Sequence, residues 1–106
     1  MTLTQLRYFV TTCRFMNMTE AADKLHIAQP SLSNSIKALE REFNMQLLFR
    51  NKRNISLTRE GAFFLEKAQM LLKAADELTE QMRDIVAKRN HIRIGLPPMI
   101  GSVLYT

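Results

Sequence analysis

"AQPSLSNSIKALE", residues 28–40, combines two patterns that rarely share a helix. Leu32, Ile36 and Leu39 recur at the spacing of a buried helical face. Between them stand Ser31, Ser33, Asn34 and Ser35, short polar residues that favour caps and turns over helix interiors. Gln29 and Pro30 open the stretch, and proline suits a first helical turn, where the missing N–H costs nothing. At 100° per residue, Leu32, Ile36, Leu39 and Phe43 share one sector. Pro30, Asn34, Lys37 and Arg41 lie opposite, with Gln29 and Ser33 on a flank. This predicts a helix over 29–43. Its outer face is small and amide- and hydroxyl-rich at one end, cationic at the other, and nearly without acid before Glu40.

Such a face suits duplex DNA. Short donors and acceptors match base edges in the major groove, and cations match phosphates. The helix N-terminus adds a positive partial charge. An ordinary solvated face would carry Glu and Lys pairs instead. The totals agree: the chain has 106 residues, a formal net charge of +5 and a pI near 9.8. A small basic domain points to a polyanion, although charge alone does not choose among polyanions.

The neighbouring segments complete a DNA-binding head. Leu3, Leu6, Phe9, Val10, Cys13 and Met16 form one stripe and predict helix 1 over 3–16. "NMTE" places Asn17 as N-cap with Glu20 three residues on, a variant capping box that starts helix 2 near Thr19. Ala21, Ala22 and Leu25 face inward, and "HIA" connects to helix 3. Helices 2 and 3 make a helix-turn-helix. Asn44 can take the left-handed conformation that closes helix 3. In "LLFRNKRNISLT", residues 47–58, two apolar runs flank a basic turn. That predicts a hairpin with a charged tip, a wing carrying Arg50, Lys52 and Arg53.

From Arg59 to about Lys88 a long helix is expected. Phe64, Ala68, Leu71, Ala75, Leu78, Met82 and Ile85 alternate in steps of four and three, the period of a coiled-coil seam. The helix would span roughly 40 Å, too long a stripe for the head to cover. A second copy of the chain is the simplest partner. Beyond it, Ile92, Ile94 and Leu96 alternate as a buried strand, with no sheet in the chain to receive it. The chain therefore reads as the front of a longer protein.

These segments resemble the LysR-type transcriptional regulators in their N-terminal region. The resemblance runs through "LRYFV" (6–10), "TEAADKL" (19–25), "QPSLSNSIKALE" (29–40) and "LLFRNKRNISLTREG" (47–61), in order and in register. It implies a mainly α fold, a winged helix-turn-helix over 1–58 with a three-helix core and a two-stranded wing. A dimerisation linker helix would follow over 59–89, and the start of an effector-binding domain over 90–106. It also implies a sequence-specific regulator acting on duplex DNA as a homodimer, with a tetramer open to the full-length protein. Gln29, Pro30 and Ser33 match the recognition-helix motif, and Arg50 and Arg53 match the wing arginines. Ala28, Asn34, Ser35, Asn44 and Leu48 depart from it, standing where Ser, Arg, Gln, Gly and Phe are usual. The DNA-binding set is then Gln29, Pro30, Ser31, Ser33, Asn34, Lys37, Arg41, Arg50, Lys52 and Arg53.

Other classes find less support. His26 and His91 stand in no metal-ligand or nucleophile spacing, and three glycines make no phosphate loop. No catalytic residue, metal or cofactor is expected; a small-molecule effector would bind the C-terminal domain. A winged helix that dimerises without binding DNA would show acids on helix 3 or an uncharged wing. Cys13 sits in the apolar series, so a buried structural thiol is expected. No signal peptide or membrane-length run is seen, and a cytoplasmic location is expected.

Overall fold

Short polar residues start the first two helices, and left-handed residues stop the first three. The computed structural model describes residues 1–51 and 54–92. Thr2 caps α1 (Leu3–Phe15) in a full capping box with Gln5, its hydroxyl accepting from Gln5 N–H at 3.1 Å. Asn17 caps α2 (Met18–Leu25), its Oδ1 accepting from Glu20 N–H at 2.9 Å. α3 (Gln29–Phe43) begins with Pro30 in its first turn, and Ala28 supplies no side-chain cap. Met16, His26 and Asn44 close these helices with φ of 51°, 60° and 53°. After His26, Ile27 N–H reaches back to the Ala22 carbonyl; after Asn44, Met45 N–H reaches back to Glu40.

α3 has the expected bounds, and α1 stops one residue early. Strands β1 (Leu48–Arg50) and β2 (Ile55–Leu57) pair antiparallel, with Leu48 opposite Leu57 and Arg50 opposite Ile55. This is the expected hairpin, closed by Asn51 N–H to the Asn54 carbonyl at 2.9 Å. Lys52 and Arg53 lie outside the described residues. α4 (Arg59–Ile92) outruns its expected end. Ile92, expected to open a strand, is helical: no Gly or Pro interrupts the sequence between Gly61 and Gly95. The rest of the strand reading, residues 93–106, lies outside the described residues.

The chain divides into two units at Lys73–Ala74. In the first, α1, α2 and α3 pack on one another around Phe9, Ala21, Ala22, Leu32, Ile36 and Leu39, all fully or nearly fully buried. The alanines of α2 let its neighbours approach closely. Leu47 and Leu48 bring the hairpin into the same cluster. Fully burying a side chain such as Phe9 or Leu32 contributes about 1.5–3 kcal/mol. Phe64 of α4 meets Phe9 edge-on, with ring centroids 5.1 Å apart at 83°. Ala68 and Leu72 pack on Leu6. Leu3, Met16 and Phe43, expected on buried faces, are exposed. Leu3 and Met16 flank the ends of α1, and Phe43 ends α3, touching Phe64 at 5.7 Å.

In the second unit, the α4 residues Leu78, Met82, Ile85 and Val86 are all exposed. No helix among the described residues is long and apolar enough to cross a membrane.

Candidate nucleic-acid interface

α3 carries the candidate surface because its inward stripe is fixed by the core. With Leu32, Ile36 and Leu39 at 0% exposure, the opposite side of the helix has nowhere to go but outward. Gln29, Pro30, Ser31, Asn34, Lys37 and Arg41 are all exposed. Ser33 and Ser35, on the flanks, are half-buried. The face thus joins amide, hydroxyl and cationic groups along one side of one helix. The first turn of α3 holds no acid, and Ala28 makes no side-chain cap to its N–H groups. No carboxylate of the first turn therefore offsets the positive end of the helix. Further along, Lys37, Glu40, Arg41, Asn44, Met45 and Gln46 line an open depression.

The wing is less free than the sequence suggests. Arg50, expected at a charged tip, ends β1 and turns back to α3. Its Nη1 and Nη2 both donate to Glu40 Oε1 at 3.3 Å. Glu40 Oε2 accepts from the N–H groups of Leu47 at 2.8 Å and Leu48 at 3.1 Å. Charge-assisted bonds of this kind are roughly twice as strong as neutral ones. Glu40 was not among the expected site residues. Its signal was its position, the first acid on a face otherwise amide-rich or basic.

Thr58 and Gly61 were also missed as a pair. Thr58 Oγ1 donates to the Gln46 carbonyl at 2.7 Å and accepts from Gly61 N–H at 2.8 Å. Thr58 N–H donates to the Leu47 carbonyl at 3.1 Å. One residue thereby caps α4 and pins the strand entering the wing. The spacing "TREG" held this signal, a hydroxyl three residues before a glycine at a helix start.

The expected interchain seam splits in two. Ala68 is 2% exposed and Phe64 half-buried, both covered by the chain's own helices. Phe64 and Ala68, expected to face a second chain, are packed within this one. Leu71 is exposed at 49% and Ala75 half-buried; Leu78, Met82 and Ile85 are exposed at 60%, 52% and 49%.

Cys13 is buried, and loss of hydration pushes its thiol up to about 12. At neutral pH it is a packed, un-ionised group. Among the described residues no three His, Cys, Asp or Glu are grouped to hold a metal ion.

Comparison with known proteins matches this geometry. Residues 3–62 fit the model of the bacterial regulatory helix-turn-helix proteins of the lysR family. The chain is 43% identical over 105 residues to the HTH-type transcriptional regulator BenM of Acinetobacter baylyi, covering 99% of this chain and 34% of BenM. It is 42% identical over 98 residues to the Hca operon transcriptional activator HcaR of Escherichia coli, covering 92% and 33%. The chain thus spans about a third of the length of the curated relatives it matches. Among solved structures it is similar to the BenM_DBD/catB site 1 DNA complex, with a TM-score of 0.79 and 44% identity over 81% of this chain and 96% of that one. The CbnR_DBD–DNA complex gives 0.77 and 36%, over 81% and 99%.

Proposed function

Since the chain belongs to the lysR family of bacterial regulatory helix-turn-helix proteins, we propose that it is the DNA-binding part of a sequence-specific transcriptional regulator. α3 lies in the major groove of duplex DNA, and the wing lies on the adjoining backbone or minor groove. One observation carries this reading: the exposed amide, hydroxyl and cationic face formed by Gln29, Pro30, Ser31, Asn34, Lys37 and Arg41, with no acid in its first turn. It is a binding module, not an enzyme, and it needs no cofactor to hold DNA. A small-molecule effector would act through a further, C-terminal domain. The relatives support the reading, because BenM and CbnR DNA-binding domains are solved as DNA complexes.

Roles divide by chemistry. Gln29 and Asn34 offer amides to base edges, and Ser33 offers one weaker contact from the flank. Pro30 and Ser31 shape and line the approach of the first turn. Lys37, Arg41 and, in the wing, Lys52 and Arg53 meet phosphates. Two chains pair through the linker helix, placing two α3 helices on one DNA. The half-sites then lie about one helical turn, or a multiple of it, apart.

A salt titration tests the reading. Each phosphate neutralised contributes a slope of roughly −0.9 in log K against log salt. Duplex binding is expected to weaken steeply with salt, and Lys37→Gln or Arg41→Gln should each flatten the slope by about that amount. An affinity indifferent to salt overturns the proposal.

Specificity gives a separate expectation. Asn34 is exposed on the major-groove face near the start of α3. Losing a good bidentate base contact costs about 1–3 kcal/mol at the base concerned. Selection from random duplex DNA with Asn34→Ala should relax the preference at one position in each half-site and leave nonspecific affinity unchanged. Recovery of the parental site unaltered shows that Asn34 does not read bases.

A further inference from the structure

One carboxylate fastens the hairpin to the DNA-facing helix. Glu40 stands on α3 between Lys37 and Arg41, yet its side chain is only 12% exposed. An ionised carboxylate has about four acceptor sites, and Glu40 meets four donors. Leu47 N–H and Leu48 N–H take Oε2, while both terminal nitrogens of Arg50 take Oε1. The Arg50 side chain is 27% exposed, and its Nε is buried without a partner. The two nitrogens that a phosphate would claim already face Glu40. Leu47 leads into the hairpin, Leu48 begins β1 and Arg50 ends it, so three points of the segment 47–50 hang on one residue of α3.

From this we infer that Glu40 is a positioning residue for DNA binding. Its carboxylate sets the wing on the recognition helix, so that both elements reach the duplex together. Arg50 is its internal counter-ion and not a phosphate ligand. The inference rests on the DNA-binding reading above and adds to it a group that never touches DNA.

Electrostatics and positioning predict opposite signs, which makes the test sharp. Glu40→Gln raises the net charge by one unit beside the proposed DNA face, so charge alone would tighten binding. Positioning requires it to loosen. The probe is the duplex recovered by selection with the parent chain, titrated over a salt series. Circular dichroism at the assay temperature reports folding.

Glu40→Gln is expected to weaken binding about tenfold or more while the salt slope stays at the parental value. Arg50→Gln should also weaken binding at constant slope, whereas Lys37→Gln flattens it. The double variant Glu40→Gln with Arg50→Gln should be no weaker than the worse single one, because the two act through one contact. Binding by folded Glu40→Gln that equals or exceeds the parent overturns the inference. So does an Arg50→Gln slope as flat as that of Lys37→Gln. If Glu40→Gln does not fold, the Arg50→Gln slope decides alone. Failure of the parent itself to bind any selected duplex is a different result: it removes the DNA reading and this inference with it.

Discussion

Gly61→Ala is expected to destabilise the fold by about 3 kcal/mol, at the upper end of the usual cost of overpacking. For a domain of this size that lowers the melting temperature by roughly 10–20 °C. The direction is opposite to the general rule, since alanine normally stabilises a helix interior by about 0.5–1 kcal/mol relative to glycine. Here the backbone leaves no room. A Cβ built on Gly61 would sit inside the Leu47 carbonyl oxygen, 2.9 Å from the carbonyl carbon and 3.2 Å from Leu57 Cδ2. Leu47 is itself fixed, buried and bonded to Thr58 and Glu40, so it cannot retreat without opening the wing. The adjacent Ala62→Gly is the control: at an exposed position, it should cost only about 0.5–1 kcal/mol. Thermal unfolding of the two variants checks the order. A Gly61→Ala protein as stable as the parent shows that the strand and α4 are not in this close contact.

Leu78→Asp is expected to separate the proposed dimer and lower affinity for a two-half-site DNA by roughly 10²-fold or more, the scale on which linked contacts exceed single ones. In the isolated chain Leu78 is 60% exposed, and Met82, Ile85 and Val86 nearby are about half exposed. A contiguous apolar stripe of that kind marks an association surface. A carboxylate placed within it is tolerated only when paired or neutralised. Leu78 lies outside the unit that holds the core, so the head should keep its stability and its affinity for a single half-site. Sedimentation reads the oligomeric state directly. A monomeric parent, or a variant still dimeric with unchanged affinity, shows that this stripe is not where two chains meet.

What could be read before the structure was the part governed by neighbours in sequence. Asn17 as a cap, Pro30 in a first turn and Asn44 as a left-handed stop act within a few residues of themselves, and each took its expected place. The outward face of α3 followed from the inward one. Arg50 was different. Whether its guanidinium meets a phosphate or a carboxylate depends on a fold that brings residue 50 beside residue 40, and no local pattern records that distance. The seam was ambiguous for a geometric reason. Over two heptads a 3.5-residue period and a 3.6-residue helix drift apart by only about 40°. Phe64 and Ala68 therefore fit an interchain stripe and an intrachain one equally well. The structure resolves it: the α4 contacts with α1 run through Phe64, Ala68 and Leu72, and Leu71 turns away.

The fastening of the wing has a consequence for how the chain folds. The bonds that tie the hairpin to α3 and α4 among the described residues lie between Glu40 and Gly61, with partners three to twelve residues apart. Loop-closure entropy rises only slowly with length, and each closed loop shortens the next. The carboxylate, the strand pair and the Thr58 cap can therefore form one after another in zipper fashion, without waiting for a distant segment. Topologies dominated by such local contacts fold quickly. The Phe9-centred core needs nothing beyond Leu65. During synthesis from the N-terminus, that core can assemble while later residues are still being added, so the head acquires its shape without help from the far end of α4.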